Sequence, residues 1–198
     1  MSLLLALLLA AVPEKGEGTI AVFGGARTLL PGNGDYLDAK LASHKVFQPG
    51  GFVAFGYQYD EDLHFKIEIG YLYDHYRVPG GDLEIKTIPI LLALDTVLWR
   101  GPRFTLFAGG GLGYMLNTGT RGGSSNEANT TTGYVGVGLR VQLGGPVAAL
   151  VEDRFFVASA QADPDPAAPR LTVGGNLLSV GLLFHFLEPE EKGHPSGH

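Results

Sequence analysis

The sequence predicts an all-β chain, an eight-stranded antiparallel up-and-down transmembrane β-barrel, and three observations predict it. Residues 63–74 alternate strictly, with Leu63, Phe65, Ile67, Ile69, Tyr71 and Tyr73 at odd positions and His64, Lys66, Glu68, Gly70, Leu72 and Asp74 at even ones. Period two means a strand with one wholly apolar face. Segments of this kind number eight, and an even count returns both ends of a barrel to the same side. The connections between them run alternately long and minimal. That asymmetry is expected when one rim of the barrel carries tight turns and the other carries long loops.

The chain opens with ten apolar residues, 3–12. This is too short for a membrane-crossing helix of about 20 residues and right for the core of a secretory signal. Residues 1–12 therefore read as a signal peptide. No Lys or Arg precedes the run, so the natural start is expected further upstream. Strands follow at 18–29, 46–59, 63–77, 83–99, 104–116, 132–143, 147–158 and 177–187, within a barrel spanning 18–187.

In the second strand Val53, Phe55, Tyr57 and Tyr59 share a face. In the fourth, Ile88, Ile90, Leu92 and Leu94 share parity with Glu84 and Lys86, which puts those charges above the bilayer or requires a bulge. The fifth sets Phe104, Leu106, Ala108, Leu112 and Tyr114 against a face of mostly Gly. In the sixth, Val135, Val137, Leu139, Val141 and Leu143 alternate with Tyr134, Gly136, Gly138, Arg140 and Gln142. The seventh places Asp153 on the outward face with Ala149, Val151 and Phe155. A carboxylate there is destabilising at the bilayer midplane, so Asp153 is expected near the upper rim. The eighth opposes Leu178, Val180, Leu182, Phe184 and Phe186 to Ser179, Gly181, Leu183 and His185.

Tight turns are expected at 60–62, 100–103 and 144–146, a short one at 78–81, and long loops at 30–45, 117–131 and 159–176. Loop 117–131 is rich in Gly, Ser, Thr and Asn, so it reads as mobile and hydrated; residues 162–170 read as an extended acidic segment. Residues 188–198 read as a flexible periplasmic tail with Glu188, Glu190, Glu191, His194 and His198.

Composition removes several classes. A net charge of −6 argues against nucleic acid, whose binding rests on Lys and Arg neutralising phosphates. With no Cys there is no disulfide framework, thiolate zinc site or Cys nucleophile. No stretch reaches the 18 uninterrupted apolar residues of a helical span, and the 30 Gly, each costing about 1 kcal/mol inside a helix, disfavour long helices.

The orientation of the faces follows from the aromatics. Tyr57 and Tyr59 sit beside the first tight turn, Trp99 and Phe104 flank the second, and Phe184 and Phe186 close the last strand. Tyr71, Tyr73, Tyr76 and Tyr114 lie toward the opposite rim. Two aromatic belts bounding an aliphatic band read as interfacial girdles, so the apolar faces look outward at lipid.

The segments IPILLALD (88–95), FAGGGLGY (107–114), EDRFF (152–156) and LLSVGLLFHF (177–186) resemble the small eight-stranded outer-membrane β-barrels of the OmpA and OmpX type. The resemblance covers residues 18–187 and implies a bacterial outer-membrane location. Phe186 resembles the terminal Phe that serves this family as an assembly signal.

The inward polar residues are then His64, Lys66, Glu68, Asp74, Arg140, Gln142, Glu152, Arg154 and His185. A barrel this narrow holds little bulk water, so these charges must pair, and a charge-paired lumen plug is expected. The function expected is a structural, adhesive or protective surface role through the loops 30–45, 117–131 and 159–176. A small non-specific pore is the first alternative, and a lipid-modifying enzyme the second. The latter needs Ser and His within hydrogen-bond reach; Ser179 and His185 share a face but stand about 20 Å apart along the strand. No catalytic residue, metal or cofactor is expected. The expected partners are outer-membrane lipids and a loop ligand, with no nucleic acid, for a monomeric protein.

Overall fold

A computed structural model describes residues 16–29, 48–78, 81–168 and 170–186. The stretches read from the sequence as a signal peptide (1–12), a loop (30–45) and a tail (188–198) lie outside the described residues. Period-two patterning produces strands β1 (Gly18–Leu29), β2 (Gln48–Gln58), β3 (Leu63–Val78), β4 (Gly81–Arg100), β5 (Phe104–Arg121), β6 (Ser124–Gly144) and β7 (Val147–Val157). A two-residue hairpin, β8 (Ser159–Ala160) with β9 (Leu171–Thr172), precedes the last barrel strand, β10 (Gly175–Phe186). Each barrel strand pairs antiparallel with its neighbour, and β10 closes on β1 from Gly18↔Phe186 to Leu29↔Gly175. Closure leaves no sheet edge within the membrane-sized part, the condition for crossing hydrocarbon with strands.

Local chemistry sets the turns. Asp60 Oδ1 accepts from the backbone N–H groups of Asp62 (2.9 Å) and Leu63 (2.8 Å), closing the β2–β3 turn. Gly144 and Gly145, with φ of 133° and 54°, make the β6–β7 turn where a side chain would strain the backbone. Bulges lie at Val97/Trp99 and Gln142/Gly144, each beside a tight turn. The β3–β4 and β4–β5 pairing shows no shift between Glu84 and Ile88. Of the two options for β4, the charges above the band therefore hold: Glu84 and Lys86 stay on the outward face opposite Thr120 and Thr118.

Two loop expectations are corrected. Residues 117–131 are the outer part of a β-hairpin in which β5 and β6 pair out to Arg121↔Ser124, turned by Gly122 and Gly123 at positive φ. Ser, Thr and Asn are abundant there because the outward face of this hairpin carries exposed polar residues and its inward face meets the polar backbone of residues 161–163; pairing continues regardless, and Thr suits it. Residues 159–176 are no solvated loop either. Residues 158–168 and 170–174 fold back as a strap that buries Ala162, Ala168, Leu171 and Val173. Arg121 pairs with the buried Asp163 at 3.0 Å, and Asn126 donates to the Gln161 carbonyl at 2.7 Å.

A Cβ at Gly119 would collide with the Ala162 carbonyl. Gly119→Ala is therefore expected to lift the strap at a local cost of about 1–3 kcal/mol, read as faster tryptic cleavage at Arg170 in an otherwise intact barrel. Unchanged cleavage would show that the strap does not depend on this contact.

Candidate functional site

Strand parity directs one set of side chains inward. Thr19, Phe23 and Arg27 come from β1, His64, Lys66, Glu68 and Asp74 from β3, and Asp95 from β4. Tyr134 and Arg140 come from β6, Glu152 and Arg154 from β7, and His185 from β10; all are buried. They meet in layers. At the end with the tight turns, His185 Nδ1 lies 3.3 Å from Glu17 Oε2, and Thr19 Oγ1 lies 2.8 Å from His64 Nε2. Deeper in, Asp95 takes Arg140 at 2.7 Å and Lys66 at 2.9 Å. Lys66 bridges on to Glu68 at 3.1 Å.

At the centre, Arg154 reaches both oxygens of Glu68 (2.5 and 2.9 Å) and Glu152 Oε2 (2.7 Å). Its guanidinium carbon sits 4.5 Å from the Phe23 ring centroid, 4.7 Å from Tyr134 and 5.5 Å from Phe52. Arg140 stacks in the same way over Phe107 at 4.5 Å. Cation–π contact adds to each ion pair where water is excluded. Lys66, Arg140 and Arg154 thus balance Glu68, Asp95 and Glu152, so the buried cluster carries no net charge. Toward the other mouth the Arg27–Asp74 pair, both fully buried, lies among Leu72, Leu83, Ile85, Met115 and Leu177. Arg27 also donates to the Val173 carbonyl, tying the strap to the barrel wall.

Of the polar residues read from the sequence, His64, Lys66, Glu68, Arg140, Glu152 and Arg154 lie in this one network. His185 stands apart with Glu17, and Gln142 sits at the β6–β7 turn, donating to the Gly145 carbonyl at 2.7 Å. Sequence reasoning missed Asp95, Arg27 and Thr19. Asp95 follows an apolar run and is inward only by parity with Leu91 and Ala93, a signal available once Ile88–Leu94 is assigned outward.

Thr19, His64 and Asp95 form a line with the outline of a nucleophile, base and orienter. Its polarity is wrong for that chemistry. An Arg can only donate, and Arg140 Nη2 lies 3.2 Å from His64 Nδ1, so a neutral His64 carries its proton on Nε2 and donates to Thr19. His64 to Asp95 is 3.6 Å, beyond a hydrogen bond.

The outer wall is apolar. Tyr57, Tyr59, Trp99, Phe104, Phe184 and Phe186 are exposed toward the tight-turn rim, and Tyr71 and Tyr114 toward the other. Tyr73 is half-buried on the outward face. Tyr76, read from the sequence as part of the upper belt, is inward and buried, because it shares parity with Leu72 and Asp74. Between the belts lie residues such as Leu92 and Leu112, 67% and 74% exposed. A continuous exposed belt of this size fits a lipid contact.

Compared with family models and with curated protein sequences, the chain matches none. Among solved structures it is similar to Neisserial surface protein A at 15% identity and TM-score 0.62, over 87% of this chain and 98% of that one. It is similar to OprG of Pseudomonas aeruginosa at 13% and 0.56, over 87% and 97%. With the N-terminal β-barrel domain of OprF from the same organism, the figures are 14% and 0.54, over 88% and 100%. The closed barrel, its alternating faces and these likenesses agree: the chain has the fold of the small eight-stranded outer-membrane β-barrels.

Proposed function

We propose that the chain is a bacterial outer-membrane surface protein in which the barrel is a sealed scaffold. Its elements beyond the membrane carry recognition in a structural, adhesive or protective role. The observation that carries this reading is the filled lumen. The balanced ion-pair network, the aromatic rings around Arg154 and the Arg27–Asp74 pair with its apolar neighbours beneath the strap occupy it in succession. A pore needs an open, hydrated path, and Arg27, held by Asp74 and the Val173 carbonyl and packed in a layer with Leu72, Leu83, Ile85 and Leu177, closes one. Recognition then falls to the β5–β6 hairpin and the strap, which carry polar and charged side chains beyond the apolar band.

Planar-bilayer recording of the purified, refolded protein tests this. No discrete single-channel steps are expected, and regular steps would favour the small pore instead. Location is tested by gel mobility: a folded barrel migrates differently before and after boiling, and identical migration of a detergent-free soluble protein would remove the membrane reading.

A further inference from the structure

The outer wall is concave on its β2–β5 side. Tyr57, Phe65, Leu94 and Gly110 form one outward row across those strands, and the last of these has no side chain. Between a bank made by Phe55 and Phe65 and another made by Leu112 lies a groove of about 870 Å³, within the range of about 300–1,000 Å³ that holds a ligand. One row nearer the tight turns, Thr96 pairs with Ala108, two more short outward side chains. The groove thus continues as a trough toward the rim, where the Val97 N–H donates to the Asp62 carbonyl at 2.9 Å. The trough ends on charges of both signs. In the β2–β3 turn the Asp60 carboxylate is occupied by backbone N–H groups, while Glu61 and Asp62 are exposed. From the β4–β5 side, Arg100 donates to the Glu61 carbonyl and lies 3.9 Å from Asp62, and Arg103 in that turn is exposed.

We infer that this groove and its rim bind one phosphatidylethanolamine molecule, with an acyl chain in the groove, the phosphate on Arg100 and Arg103 and the primary ammonium on Glu61 and Asp62. The inference rests on the membrane reading above. That reading makes an acyl chain the occupant of an apolar groove on this wall, and the rim charges select the head. A guanidinium fork matches phosphate oxygens. A primary ammonium donates three hydrogen bonds, as a Lys side chain does, and two exposed carboxylates stand ready to accept them. A phosphatidylglycerol head brings a negative charge and no cation, so Glu61 and Asp62 repel it. A phosphatidylcholine head has no N–H to donate. Tyr59 and Trp99, exposed at the same rim, lie at headgroup level, where amphipathic rings are favoured.

Trp99 is the sole tryptophan and adjoins Arg100, so its fluorescence reports which lipid stands there. The protein is refolded into phosphatidylcholine vesicles containing a fixed share of one chain-brominated phospholipid, whose bromine quenches a neighbouring indole. Brominated phosphatidylethanolamine is expected to quench more than the same share of brominated phosphatidylcholine or phosphatidylglycerol, by an enrichment of about two- to fivefold, the worth of an exposed ion pair. The double change Glu61→Gln with Asp62→Asn removes the ammonium acceptors, and Ala108→Leu fills the trough from its lipid side. Each is expected to abolish the enrichment while keeping the heat-dependent gel shift of the folded barrel. Glu84→Gln, on the opposite rim, is expected to leave it unchanged. Equal quenching by the three lipids, a preference for phosphatidylglycerol, or enrichment that survives either variant would overturn the inference. Absence of quenching by every brominated lipid would instead remove the membrane reading beneath it.

Discussion

Arg154→Ala is expected to destabilise the barrel by about 3–5 kcal/mol, the cost of leaving buried charge uncompensated. Glu68 and Glu152 are both buried, and Arg154 is the group that joins them. Without it, Glu68 retains Lys66 at 3.1 Å, and Tyr134 stands 3.4 Å away as a neutral donor, while Glu152 loses its charged partner. Arg154→Lys keeps the charge but not the planar fork that serves two carboxylates and stacks between rings, so a loss of about 1–3 kcal/mol is expected. The informative variant is the double change Arg154→Met with Glu152→Met. It removes one charge of each sign and leaves Lys66 and Arg140 against Glu68 and Asp95, all still paired. Buried ion pairs replaced by apolar groups of similar volume are often neutral or better, so the double variant is expected to recover most of the loss. Urea unfolding in lipid vesicles reads all three. An R154A midpoint equal to that of the parent would show that the network is not a stabilising plug.

How legible this was depends on what each residue needed to reveal it. The barrel could be read because outward faces such as Phe65, Ile67, Ile69 and Tyr71 alternate without exception, and register follows from that alternation. Lumen partners are a different matter. Asp95 meets His64 because they are opposed across β3 and β4, and Lys66 reaches Asp95 from the next inward row. Neither fact has a trace in spacing along the chain. Residues 117–131 failed for a compositional reason, since a strand pair with an exposed polar outward face and an inward face against the strap's polar backbone has the composition of a loop. For Asp153, the energetic rule favoured the rim, whereas the outward residues Phe155 and Val157 follow it on the same strand face.

The second large effect is expected at the seam where the last strand meets the first. Gly25 pairs with Ser179 across that seam and with Gly50 on the other side. A Cβ at Gly25 would fall onto the Leu178 carbonyl oxygen and the Ser179 Cα, backbone atoms that cannot rotate away as a side-chain tip can. Gly181, opposite Phe23, is crowded in the same way by the Val22 carbonyl, so the two strands approach too closely here for any side chain. Gly25→Val must push β10 off β1 and open ladder hydrogen bonds in a medium that cannot replace them. A penalty above about 4 kcal/mol is expected, seen as loss of the heat-shifted folded band after refolding into vesicles. Gly51→Val is the control. Gly51 lies on the neighbouring strand with its Cβ direction open to the outer face, the nearest atom being the Phe23 carbonyl oxygen at 3.6 Å, an ordinary contact. Its new side chain meets lipid, so folding is expected to proceed as in the parent. Equal folding of G25V and G51V would mean that closure tolerates a wider seam than this register allows, and the glycines of β1 and β10 would then be explained by lumen packing alone.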